Sequence, residues 1–123
     1  MDPASPSFAE AETIVPVETL VGLPLFDRAG AKLGAVKQVY ASKLTGRIEF
    51  VLGATGGMLG VGEKYHPIPW EALTYNATPE GYVASFSKSE LRDAPAYDRD
   101  QLANPHHGWP HQVRRYFQGL VTG

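Results

Sequence analysis

Four histidines, His66, His106, His107 and His111, are the side chains of this chain best suited to hold a metal ion. His107 and His111 stand four apart, the spacing that places two imidazoles on one face of a helix. Gly108 and Pro110 lie between them. A proline drives the residue before it, here Trp109, out of helical geometry, so the pair is not expected to share a face. No acid follows Asp100 to complete a ligand set nearby. The expectation is that no metal is held. Glu63, Lys64 and Glu71 flank His66 and have the right types for acid–base work. No nucleophile with a positioned base accompanies them, and no GxSxG or other catalytic signature occurs. The chain is therefore expected to have no catalytic residues, to need no cofactor and not to be an enzyme.

The run Gly56-Gly57-Met58-Leu59-Gly60-Val61-Gly62 invites a phosphate-binding reading, and its spacing fails the test. A Walker loop needs Gly-Lys-Ser/Thr opening a helix, whereas Gly62 is followed by Glu63-Lys64-Tyr65 and a strand pattern. Gly60-Val61-Gly62 has no third glycine where a dinucleotide fingerprint requires one. The run reads instead as a long hairpin tip. Its apolar residues Met58, Leu59 and Val61 either fold back on the body or touch a partner. Near the C-terminus, Arg114 and Arg115 beside Tyr116 and Phe117 combine charge with stacking surface, as an RNA contact would. Two arginines make a thin footprint, and the net charge of −2 gives no global attraction for nucleic acid.

The elements that must position these residues are short strands. At 123 residues the chain is one domain by length and can bury a core without staples. It has no cysteine, which excludes disulfides, thiol catalysis and Cys-based zinc sites and fits a reducing compartment. No apolar run approaches the roughly 20 residues that cross a bilayer, and no Lys or Arg precedes Arg28, so a signal n-region is missing. A soluble cytoplasmic protein is expected. Asp2, Glu10, Glu12, Glu18 and Asp27 all precede the first basic residue, and after Asp100 only Arg114, Arg115 and three histidines carry charge or titrate near neutrality. Such a head and tail have the charges to attract each other.

Residues 1–13 are small, polar and proline-bearing and read as a flexible tail. Ile14 to Leu20 is more apolar and is expected to lie against the body. Strands follow at Leu23 to Phe26, Lys32 to Ala41, Arg47 to Ala54 and Tyr65 to Ile68, with a hairpin pairing Leu73 to Asn76 with Gly81 to Phe86. Gly34 marks a bend and the slip in alternation at Ala35 and Val36 a bulge, while Gly46 closes a turn. Arg47 to Ala54 alternates cleanly, as a half-buried strand does. Pro67 and Pro69 fix the chain direction around Ile68, which points inward with Trp70 packing against it. Ser87 and Glu90 form a capping box, and Pro95 stops that helix. A last helix runs from Pro110 to before Gly119, with Val113, Tyr116, Phe117 and Leu120 on one face. Strands so short with no long helix between them argue for a small antiparallel β-barrel, an all-β fold.

The run from Gly56 to Leu73, with Leu33-Gly34-Ala35-Val36 and Leu44-Thr45-Gly46-Arg47-Ile48, resembles the PRC-barrel family. That family takes its name from the cytoplasmic part of the photosynthetic reaction-centre H subunit, and a ribosome-maturation factor shares the fold. The resemblance covers about Thr19 to Tyr97 and implies a barrel of about six strands, here residues 14–97, with residues 98–123 as a helical extension. Ala94-Pro95-Ala96-Tyr97 resembles the segment that follows the barrel in stand-alone members. The family has no shared catalytic residues, and no functional residue of either relative maps onto this chain. The function expected is a non-enzymatic protein-interaction or adaptor module that self-associates as a homodimer. Its candidate interface residues are Met58, Leu59, Val61, Trp109, Val113, Tyr116 and Phe117. The aromatic stripe of the last helix has two destinations, a second chain or the chain's own barrel. The alternatives are an RNA- or ribosome-linked accessory factor and a small-ligand binder or enzyme at the barrel mouth.

Overall fold

The computed structural model describes residues 13–54 and 64–122. Six strands, β1 (Pro24–Phe26), β2 (Lys32–Ala41), β3 (Ile48–Ala54), β4 (His66–Pro69), β5 (Leu73–Ala77) and β6 (Glu80–Ala84), form one sheet in the order β4-β3-β2-β1-β6-β5. Three helices follow, α1 (Lys88–Asp93), α2 (Arg99–Ala103) and α3 (Trp109–Thr122), and 3-10 turns occupy Val17–Leu20 and Trp70–Ala72. The two edge strands, β4 and β5, are consecutive in the chain and joined by the Trp70–Ala72 turn. Three residues cannot span a flat six-stranded sheet, whose width at about 4.8 Å per strand exceeds their reach. The sheet therefore curls, and its shape is that of a half-barrel.

Two features depart from the antiparallel, closed barrel expected from the strand spacing. β1 and β6 run parallel, Leu25 opposite Tyr82 and Phe26 opposite Val83, and β4 and β5 share no ladder. Spacing reads local hairpins well, but β1 and β6 lie far apart in the chain and no turn chemistry specifies their pairing. Gly81 permits it. A Cβ there would stand 2.5 Å from the Pro24 carbonyl oxygen and 2.9 Å from the Phe26 ring, closer than atoms approach.

The turns are built as their residues dictate. Asp27 Oδ1 accepts hydrogen bonds from the Ala29 and Ala31 amides while Gly30 takes φ 91°. Ser42 Oγ accepts from Leu44 and Thr45, and Gly46 closes the next turn at φ 77°. Gly34 pairs regularly with Leu25. The register slips are displaced from the expected Ala35–Val36 step: one lies at Leu33 against β1, another at Lys37 against β3. β3 begins at Ile48 and is not half-buried, for Phe50 to Gly53 are buried without a break. Val51 pairs with Ile68 on one face, while Phe50 and Leu52 pair with Pro69 and Pro67 on the other. The first face lines the inside of the curl with Leu25 and Val36. The second is roofed by the C-terminal helices, since the Trp109 ring meets both Phe50 and Tyr40 edge-on.

α1 begins with the expected capping box, in which Ser87 Oγ accepts from the Glu90 amide and the Glu90 carboxylate accepts from the Ser87 amide. The chain then returns along the sheet edge, where Tyr97 exchanges two backbone hydrogen bonds of 2.9 Å with Tyr65. α3 starts at Trp109 and runs through Gly119 to Thr122, further than expected. Leu120 packs on the core and holds the last turn, so Gly119 stays inside the helix rather than ending it. The expected tail at residues 1–13 lies outside the described residues except for Thr13. The apolar stretch after it lies against the body only through Leu20: Ile14, Val15, Val17 and Val21 are exposed. No helix among the described residues is long and apolar enough to cross a membrane.

Candidate functional site

The aromatic stripe of α3 takes the second of its two destinations. Trp109, Val113 and Phe117 are 6%, 0% and 6% exposed and belong to the chain's own core, so they present no surface to a partner in this structure. Trp109 Nε1 donates to the Leu102 carbonyl at 3.2 Å, and the Phe117 ring packs against that of Phe86 at a tilt of 54° with ring centres 5.1 Å apart. Tyr116, half-buried, donates its hydroxyl to the Glu90 carbonyl and so ties α3 to α1. Met58, Leu59 and Val61 lie outside the described residues. Ile68 is buried, as expected of an inward-pointing residue, Pro67 and Pro69 are buried beside it, and Trp70 is half-buried with its ring 5.3 Å from that of Tyr82.

Arg114 latches α3 to the sheet. Its guanidinium bonds the Glu49 carboxylate on β3 and donates to Glu71 Oε1 at 3.3 Å, and it sits 4.5 Å above the centre of the Phe50 ring. This cation is thus committed within the chain and not presented to phosphate, which thins the basic footprint further. Glu71, expected near His66, is turned to Arg114. His107 precedes α3 and His111 lies on it, so the two do not share a helix. The His107 ring packs edge-on against Tyr97. Among the described residues no three His, Asp or Glu side chains converge as metal ligands would.

Two surfaces stand out. The first is the stretch before β1, where Ile14, Val15, Val17 and Val21 are 77%, 46%, 49% and 43% exposed. Four branched apolar side chains within eight positions are thus left facing water, which solvates them poorly. The second is a cavity of about 570 Å³ lined by Lys32, Leu33, Gly34, Ala35, Ala54, His66, Lys88, Leu91 and Arg92. β2, β3, β4 and α1 all contribute to it. His66 is buried, and burial pushes its imidazole below the usual histidine range, while hydrogen bonds to the Pro95 and Ala94 carbonyls pull the other way. Its Nδ1 is buried with no partner among the described residues. A third region of similar volume, about 560 Å³, lies beside α3 and mixes Arg28 and Arg114 with Glu71 and Glu90.

Sequence reasoning singled out His66 but not the three cations around it. Lys32, Lys88 and Arg92 come from β2 and α1, and only the tertiary fold brings them together. Local signals do exist for α2, which was not expected: Asp98 and Gln101 make a second capping box, Asp98 Oδ1 accepting at 2.8 Å.

A curled six-stranded sheet closed on one side by short C-terminal helices defines a small β module. Residues 12–91 match the family model of the PRC-barrel domain. The match spans well over half of the chain, which belongs to that family. No curated protein matches the chain.

Proposed function

We propose that the chain is a non-enzymatic protein-interaction module that works through the apolar stretch Ile14–Val21, and that it self-associates as a dimer by the same stretch. The exposure of Ile14, Val15, Val17 and Val21 carries this reading. Exposed branched side chains close together in the chain are a cost unless another surface covers them. The aromatic stripe, spent on the chain's own core, leaves this stretch as the largest run of exposed apolar side chains among the described residues. The lack of cysteine supports a reducing compartment, and we place the module in the cytoplasm on that ground. The commitment of Arg114 to Glu49 and Glu71 counts against an RNA-linked role.

Light scattering on the full chain and on an Ile14→Asp, Val17→Asp variant tests the proposal. Both residues are exposed, so the fold itself should survive the change. The expected result is a dimer at about tens of micromolar, an ordinary homodimer affinity, and a monomer for the variant. A monomeric full chain at that concentration removes the self-association, and a variant that stays dimeric moves the interface elsewhere.

A further inference from the structure

The cavity beneath α1 has a composition that the interaction reading does not use. Its floor is apolar, made by Leu33 (5% exposed), Leu91 (1%) and the small side chains of Ala35 and Ala54. Its rim carries Lys32, Lys88 and Arg92, all exposed, and among the described residues no carboxylate lines it. None of these three cationic side chains is hydrogen-bonded or ion-paired within the described residues. Elsewhere the fold does neutralise a cation it places beside carboxylates, as Arg114 shows. His66, nine-tenths buried, forms part of the inner wall. Its Nδ1 is buried beyond the reach of water, so the ring serves as wall and makes no contact with a ligand through that atom.

We infer that this cavity binds a small amphipathic anion, a carboxylate or phosphate head on an apolar body. The head is held at the rim by Lys32, Lys88 and Arg92, with the body on Leu33 and Leu91 and the His66 wall behind it. The volume lies in the range of about 300–1,000 Å³ typical of small-molecule sites. Charge-assisted hydrogen bonds supply orientation, and the apolar floor supplies the burial that a bare anion site lacks. The site is distinct from the Ile14–Val21 surface, so its failure leaves the interaction proposal standing, and the reverse holds too.

The experiment is amide-resolved NMR titration of the full chain with octanoate and with octyl phosphate, and with octanol and inorganic phosphate as controls. At least one amphipathic anion should shift the Leu33, Gly34, Ala35, His66 and Leu91 amides saturably, and bind at least about tenfold more tightly than either control. The tighter of the two anions identifies the head group. A Lys32→Gln, Lys88→Gln, Arg92→Gln variant, altered only at exposed positions, should keep its spectrum and lose at least about tenfold in affinity. Non-saturating shifts with both anions overturn the inference. So do equal affinity for octanol, shifts confined to other residues, or a variant that binds as well as the parent.

Discussion

Replacing Trp109 by alanine tests whether α3 belongs to the core. The indole is 6% exposed, so nearly all of its surface leaves water on folding. A buried tryptophan removes about 150–250 Å² from solvent. At about 25 cal/mol per Å² that corresponds to roughly 4–6 kcal/mol, an upper estimate because the unfolded chain is itself partly compact. The ring also meets Tyr40 and Phe50 edge-on at 5.4 and 5.1 Å, and its Nε1 satisfies the Leu102 carbonyl. Relaxation around the hole recovers part of the loss, and the expected cost is about 3–5 kcal/mol. That is a large share of the roughly 5–15 kcal/mol that holds a typical domain together. Urea unfolding followed by the fluorescence of the remaining Trp70 measures it, because Trp70 sits in the turn between the edge strands, its ring 5.3 Å from that of Tyr82, and reports the sheet. Trp109→Phe keeps a ring in the slot and should lose less than half as much. A loss below about 1 kcal/mol for the alanine variant, the scale of an ordinary surface change, would refute the packing of α3 on its own sheet.

Gly81→Ala should destabilise by about 1–3 kcal/mol, since its methyl would meet the Pro24 carbonyl at the parallel β1–β6 step, and thermal unfolding reads this directly. Arg114→Ala should cost about 1–2 kcal/mol, from two partly exposed ion pairs and one cation–π contact, and the loss should shrink in high salt. For His66 the folded state binds its proton less readily than the unfolded chain does, so stability rises with pH across that window. Stability should therefore fall as pH drops from about 7 through the lowered folded value, and His66→Gln should flatten that slope in chemical unfolding between about pH 7 and 5.

What the sequence made legible follows the range of the interactions involved. Asp27 with Gly30, Ser42 with Gly46, and Ser87 with Glu90 act within five residues, and each turn or cap formed where its residues stood. The Asp98–Gln101 box had the same signature and was equally readable. β2 was legible from its length and bounding turns, but its register slips were not, because they depend on what lies opposite at β1 and β3. The parallel β1–β6 pair left only one trace, an unexplained glycine at position 81. The stripe on α3 was visible as a pattern of period 3.6, and that pattern says a face is covered without saying by what. The cationic rim was invisible, since charges on exposed positions of β2 and α1 look like ordinary solvated residues until the fold juxtaposes them.

The central claim is that the chain meets its partner through Ile14–Val21 and not through the helix that closes its own sheet. Site-specific photo-crosslinking in the native cell addresses it, with a photoreactive residue at Val17 compared with the same residue at Thr45, an exposed turn position. The account predicts a discrete product at Val17, either the dimer or one heterologous species, that is missing at Thr45 and lost on Ile14→Asp. No product at Val17, or the same products at both positions, would contradict it.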